Sequence, residues 1–167
     1  MSKIKDLAEL VPIVRGLQRE GKQVVFTNGC FDLLHLGHIR LLQQGKSLGD
    51  VLVVGVNSDS SMRQIKGEAR PIVPADERLE VLSALEVVDH LFLFDEPDPG
   101  NAIAQLRPDI LVKGGDWREE EVVGRDTVQS YGGRVVTLPY YGDYSTTKLI
   151  ELVVERYSSP GGRLRRG

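Results

Sequence analysis

The sequence predicts a single α/β domain, a five-stranded parallel sheet flanked by helices. Three observations predict it. Five short apolar runs alternate with stretches of helical periodicity, the pattern of a parallel sheet with right-handed crossovers. The chain has 167 residues, about the length of one domain. The most polar and glycine-rich segments follow the apolar runs, where open α/β sheets bind ligands.

The elements follow in order. Ile4, Leu7, Leu10, Val11, Val14 and Leu17 recur at helical spacing and predict an amphipathic helix over 3–20, with Gly21 just past its end. Val24 to Thr27 read as a buried strand. A helix over 36–48 ends at Gly49. The near-continuous apolar run 51–57, VLVVGVN, is expected of a parallel strand covered on both faces. Residues 58–74 are polar, carry two prolines near their end and read as a long functional loop. Helix 76–88, strand 90–94, helix 99–107, strand 109–113, helix 119–131, strand 134–138 and helix 145–157 complete the alternation. This gives a domain over 1–157, with its core at 23–157, and a flexible basic tail over 158–167.

Composition excludes several classes. There are 21 Lys and Arg against 24 Asp and Glu, for a net charge of -3. Three of the arginines sit in the last seven residues, GGRLRRG, so the body is more acidic than the total suggests. An acidic body lacks the broad basic face that nucleic acid requires, and no nucleic-acid partner is expected. No run approaches the ~20 apolar residues of a membrane span, and no signal-peptide core opens the chain. The expectation is a cytoplasmic protein with no membrane partner. The single cysteine, Cys30, rules out an internal disulfide framework.

The strongest chemical signal is TNGCFDLLHLGH, residues 27–38. His35 and His38 lie three apart at the start of a helix and so share a face. Their imidazoles can project from the first turn, where backbone N–H groups and the dipole favour an anion. Gly37 removes a side chain between them. The pair suits donation to a phosphate that gains charge in its transition state. A zinc site needs a third ligand, and none is evident. Lys46, further along the same helix, is a third catalytic candidate. The turn Thr27, Asn28, Gly29, Cys30 and Phe31 would cradle a nucleotide phosphate with its backbone. Cys30 is read as a packing residue, because no partner base for a thiol is evident.

Two further segments fit a nucleotide. Ser145 is a candidate N-cap, yet Lys148 follows in the first turn, where the helix dipole disfavours a cation. An anion near Ser145, Thr146 and Thr147 would relieve that conflict. Lys113, Gly114 and Asp116 end the fourth strand, where glycine permits close approach of a base or ribose. For an acceptor phosphate, Asn57 and Asp59 offer hydroxyl partners, and Arg70 and Arg78 offer a basic clamp, with Lys66 in the same loop. His90 is read as structural.

NGCFDLLHLGH resembles the HxGH signature of the nucleotidyltransferase superfamily, in its cytidylyltransferase-like branch. With GKSLGD, VGVNSD, KGEARPIVP, ERLEVLSALEVVD, RPDILVKGGDW and YSTTKLI in this order, the chain is similar to the adenylyltransferases of ADP-heptose synthesis. The resemblance runs from about Gln23 to Tyr157. No sugar-kinase half precedes it, which points to the stand-alone form. It implies a Rossmann-like fold and transfer of AMP from ATP to D-glycero-D-manno-heptose 1-phosphate. ADP-heptose for lipopolysaccharide or another surface glycan and pyrophosphate would be the products. It also implies phosphate stabilisation by His35 and His38, a phosphate role for the STT motif at Ser145, Thr146 and Thr147, and a homodimer or higher homo-oligomer. Mg2+ would arrive with ATP and keep waters and substrate phosphates as ligands, since no carboxylate cage is evident. Asp32 is a candidate for an outer-sphere contact and no more. Related cytidylyltransferases carry an arginine shortly before STT, where this chain has YYGDY. That departure weakens the alternative of a cytidylyltransferase acting on glycerol 3-phosphate or another small phosphate. The intact histidines argue against a catalytically silent nucleotide-binding module.

Overall fold

The computed structural model describes residues 2–139, 142 and 144–158. The chain runs α1 (Leu7–Arg19), β1 (Val24–Gly29), α2 (Leu36–Ser47), β2 (Val51–Asn57), α3 (Asp59–Lys66), α4 (Ala75–Ser83), β3 (His90–Phe94) and α5 (Gly100–Leu106). It continues with β4 (Ile110–Gly114), a 3-10 turn (Glu119–Glu121), α6 (Arg125–Ser130), β5 (Arg134–Leu138) and α7 (Thr146–Ser158).

All four strand pairings are parallel, in the order β3-β2-β1-β4-β5. The chain starts in the middle, builds outward through β2 and β3, then returns to the other side of β1 for β4 and β5. The order therefore reverses between β1 and β4. The crevice outside their carboxyl ends is the expected place for a ligand.

Strand pleat divides the core into two layers. Val24 and Phe26 join Leu10, Val14, Ile103 and Val128 on the face covered by α1, α5 and α6. Val25 joins Leu42, Leu79, Leu82 and Ile110 on the face of α2 and α4. Alternate side chains of one strand must go to opposite faces, so a strand covered twice must be apolar throughout. β2 is buried at all seven positions.

Three aspartates finish the amino edge of the sheet. Each lies one residue before its own strand and accepts a backbone N–H near the start of the neighbouring one. Asp50 accepts from Gln23 N at 2.8 Å, Asp89 from Leu52 N at 2.7 Å, and Asp109 from Val24 N at 2.8 Å. These bonds satisfy donors that the ladder leaves open.

The structure differs from the sequence reading in four places. Residues 3–5 are not helical: Leu91 N donates to Lys3 O and Lys5 N to Leu91 O, so the segment pairs with the β3 edge. The segment expected as loop holds α3, which the Ser58 hydroxyl caps by accepting from Ser61 N. α4 ends at Ser83 rather than 88. The single helix expected over 119–131 is broken, because Gly124 takes φ +89° between the 3-10 turn and α6. The basic tail lies outside the described residues from 159 onward, as do Tyr140, Tyr141 and Asp143 of the YYGDY segment.

Candidate active site

A cavity of about 500 Å³ opens over the carboxyl ends of β1 and β4. The β1 turn forms one wall. Phe31 stands there at φ +47°, a left-handed backbone uncommon for a bulky side chain and characteristic of functional turns. Its ring lies over Gly29, where an added Cβ would come within 3.0 Å of it. It also lies 5.2 Å from the His38 ring.

His35 is the N-cap of α2 and His38 lies in its first turn. Their rings stack, with centroids 3.8 Å apart and planes at 21°. Among the described residues, Nδ1 of each is buried without a hydrogen-bond partner. Burial holds both imidazoles below their ordinary pKa. His38, which also feels His35, is pushed down to about 4. Both are therefore neutral at pH 7, able to donate one N–H each and carrying no permanent charge into the site.

A second helix start meets the first. Ser145 caps α7, its Oγ accepting from Lys148 N at 3.1 Å. Thr146 Oγ1 reaches the carbonyl of Leu33 at 3.5 Å. A Cβ on Gly37 would lie 3.5 Å from Cβ of Tyr144, so the starts of α2 and α7 are neighbours. Two positive dipole ends thus face one cavity, a strong setting for a polyanion.

Cations line the remaining walls. Lys113, at the end of β4, lies 5.5 Å from the Trp117 ring centroid. Burial, with Lys66 adding repulsion, holds its pKa below the usual value. A nearby anion would restore it. Arg40, Lys66 and Arg70 also face the cavity. Its far side is formed by Pro97, Asp98 and Pro99 after β3 and by Glu121, Val122 and Val123 of the 3-10 segment.

Most predicted residues meet here. Asn28, Gly29, Cys30, Phe31, His35, Gly37 and His38 line the cavity, as do Lys113, Gly114, Ser145, Thr146, Thr147, Asn57 and Arg70. Five do not. Lys46 binds Asp89 at 2.6 Å and the Asp50 carbonyl, at the opposite end of the sheet. Thr27 is fully buried within β1. Asp116 is exposed, because the turn around Gly115 (φ +122°) gives Gly114, Gly115 and Trp117 to the cavity instead.

Arg78 and Asp59 are partners of each other. The Arg78 side chain is 0% exposed and Nη2 meets Asp59 Oδ1 at 2.8 Å. It also donates to the carbonyls of Val73, Cys30 and Asn57. It clamps three segments that surround the site and has no exposed face to offer. Among the residues that sequence reasoning missed are Arg40, Gln44, Asp98, Glu121 and the apolar wall of Ile65, Val122 and Val123. They come from helix and loop positions whose spacing carries no chemical signature.

A family model described as Cytidylyltransferase-like matches residues 26–152. The chain is 51% identical over 157 residues to the Bifunctional protein HldE of Trichlorobacter lovleyi, covering 94% of this chain and 32% of that protein. It is 49% identical over 156 residues to the HldE of Geobacter sulfurreducens, with 93% and 32% covered. The chain thus spans about a third of the length of these relatives. Among solved structures, the lipopolysaccharide core biosynthesis protein of Thermoplasma volcanium superposes with a TM-score of 0.63 at 36% identity. That match covers 72% of this chain and 99% of the other. A pantoate-beta-alanine ligase of Francisella tularensis shares the fold, with a TM-score of 0.58 at 16% identity over 93% and 78% of the two chains.

Proposed function

The chain belongs to the cytidylyltransferase-like family of nucleotidyltransferases, and from that premise we propose that it transfers AMP from ATP to D-glycero-D-manno-heptose 1-phosphate. The products are ADP-heptose and pyrophosphate. The resemblance of its ordered motifs to the adenylyltransferases of ADP-heptose synthesis supports the acceptor. So do the identity to the HldE proteins and the likeness to a lipopolysaccharide core biosynthesis protein.

One observation carries the chemistry: the stacked, neutral His35 and His38, their Nδ1 atoms unpartnered among the described residues, where two helix starts converge. An acceptor phosphate oxygen attacks the α-phosphorus of ATP in line. The new P–O bond forms as the α–β bridge breaks, and the electron pair leaves with pyrophosphate. No protein nucleophile is required. The imidazole N–H groups donate to the α-phosphate as it becomes five-coordinate. The start of α7, at Ser145, Thr146 and Thr147, and Lys113 hold the other phosphates. Lys66 and Arg70, across the cavity, clamp the acceptor phosphate.

Among the described residues no three acidic, histidine or cysteine side chains converge to hold a metal. Mg2+ accompanying ATP would take its ligands from phosphates and water and neutralise their charge. Consumption of ATP fits a cytoplasmic setting, and no helix among the described residues is long and apolar enough to cross a membrane. The expected homo-oligomer has apolar surface to use, since Leu152, Val153, Val154 and Tyr157 of α7 are 40–56% exposed.

The test is pyrophosphate release from ATP, CTP, GTP and UTP, each with a panel of sugar 1-phosphates and glycerol 3-phosphate. The expected result is turnover confined to ATP with the heptose 1-phosphate. Preferential release from CTP with glycerol 3-phosphate would replace this reading with the cytidylyltransferase one.

A further inference from the structure

Asp32 lies three residues before His35, and its side chain is 0% exposed. Its carboxylate is fully engaged. Oδ2 accepts from Arg70 Nε at 2.6 Å. Ile72 N reaches Oδ1 at 2.9 Å and Oδ2 at 3.0 Å, and Val73 N reaches Oδ1 at 2.9 Å. Burial alone would push this carboxyl up. The Ile72 and Val73 amides and the Arg70 guanidinium outweigh it and hold the pKa below its usual value. The charged carboxylate is held by three donors from one loop. It ties the loop over 67–74 to the turn that carries the histidines.

The tie determines what Arg70 can do. Its side chain is 14% exposed and lines the cavity. Among the described residues only Nε of its five-donor guanidinium is engaged. The terminal nitrogens are left for the cavity. A free arginine samples many rotamers and loses that freedom when it binds an anion; one already fixed by an ion pair does not. We propose that Asp32 is a positioning residue for the acceptor, which sets the guanidinium of Arg70 at a fixed reach from His35 and His38. The inference rests on the reading of Arg70 as part of the acceptor-phosphate clamp.

The experiment varies D-glycero-D-manno-heptose 1-phosphate at saturating ATP for Asp32→Asn, Arg70→Ala and the double variant. ATP affinity by calorimetry and thermal unfolding are measured alongside. Each single variant is expected to raise the acceptor KM by about tenfold, the size of a lost charge-assisted contact. kcat and ATP affinity should stay within about threefold. The double variant should be no worse than the worse single, because both changes remove one device. If Asp32→Asn fails to fold, Asp32→Glu keeps the charge but displaces the carboxylate, and Arg70 with it, by a methylene. It should show the same rise in KM at a near-normal unfolding temperature. An unchanged acceptor KM in Arg70→Ala would overturn the clamp reading and this inference together. An Arg70 effect that neither Asp32 variant reproduces, or a double variant whose effects multiply, would overturn the inference alone. Equal damage to ATP affinity and acceptor KM would reduce Asp32 to a structural tie.

Discussion

The imidazole rings of His35 and His38 stack 3.8 Å apart, and burial keeps both uncharged at neutral pH. This pairing makes stability depend on pH in a defined window. The folded pKa of His38 is about 4, below its ordinary 6.5. Between these values the unfolded chain binds a proton that the folded chain does not. Stability is therefore complete above about pH 6.5 and is lost as pH falls toward 4. The ceiling on that loss is about 3 kcal/mol. Asp32 acts separately: its folded pKa lies below the usual carboxylate value, so its contribution is lost only in more acid solution. Urea unfolding at several pH values should show a shallower slope between pH 7 and 5 for His38→Gln than for the parent chain. Equal slopes would mean that His38 titrates as it does in water.

Replacing either histidine with alanine should lower turnover about a hundredfold or more, the usual cost of one transition-state donor. The acceptor KM should move much less, because the ground-state phosphate has other partners. Rapid-quench measurement of the first turnover separates this loss from slow product release. Near-normal chemistry in either variant would remove that imidazole from the mechanism.

Arg78→Ala should fail as a folding variant before it fails as a binding variant. The guanidinium is buried and meets Asp59 and three carbonyls. Removing it leaves a partly buried carboxylate and unpaired acceptors, a change that costs about 3–5 kcal/mol. Arg78→Lys should recover little, since one ammonium cannot reproduce a planar fork. Denaturant midpoints decide the point. A normally stable Arg78→Ala chain with a raised acceptor KM would return the arginine to the substrate.

The contrast between Arg78 and Arg70 shows where the sequence is legible. Apolar runs such as 51–57 can satisfy burial in few ways, so the parallel strands could be read directly. The histidine turn and the STT segment could be read because helix starts attract anions wherever they occur. A charge between two elements carries no such mark. Arg70 and Arg78 have the same chemistry, and only packing of α4 against β2 and β3 sends one inward. Lys46 illustrates a second limit. Eleven residues after His35, it returns to nearly the same helix face, but it lies roughly 16 Å down the axis at a rise of 1.5 Å per residue. α2 runs antiparallel to the strands and delivers it to the amino edge of the sheet, beside Asp89.

Lys46→Ala should accordingly leave turnover within about twofold of the parent. Both partners of the Lys46–Asp89 pair are about a third exposed, at 30% and 33%. Such pairs contribute at most about 1 kcal/mol. Asp89 keeps its bond from Leu52 N and the strand edge stays closed. Steady-state kinetics with ATP and the heptose phosphate, set beside a melting curve, checks both halves. A large fall in kcat would restore the lysine to the phosphate site.

Gly37→Ala should separate activity from stability in the opposite direction. Residue 37 lies in the first turn of α2, where alanine is a better helix former than glycine by up to about 1 kcal/mol. Its new Cβ would lie 3.0 Å from Cε1 and Nδ1 of the His35 ring and 3.5 Å from Cβ of Tyr144. The first contact is too close, and the ring has to give by a few tenths of an ångström. It is only partly buried and can rotate, so the fold should tolerate the change. The stack with His38 and the aim of the N–H cannot both survive it. The expected outcome is an unchanged or slightly raised melting temperature together with a kcat lowered about tenfold or more, in line with the sensitivity of transition-state contacts to small displacements. ATP affinity should fall less than kcat, because the donors of α7 are untouched. Full activity at normal stability would show that the spacing of the two rings does not control the reaction.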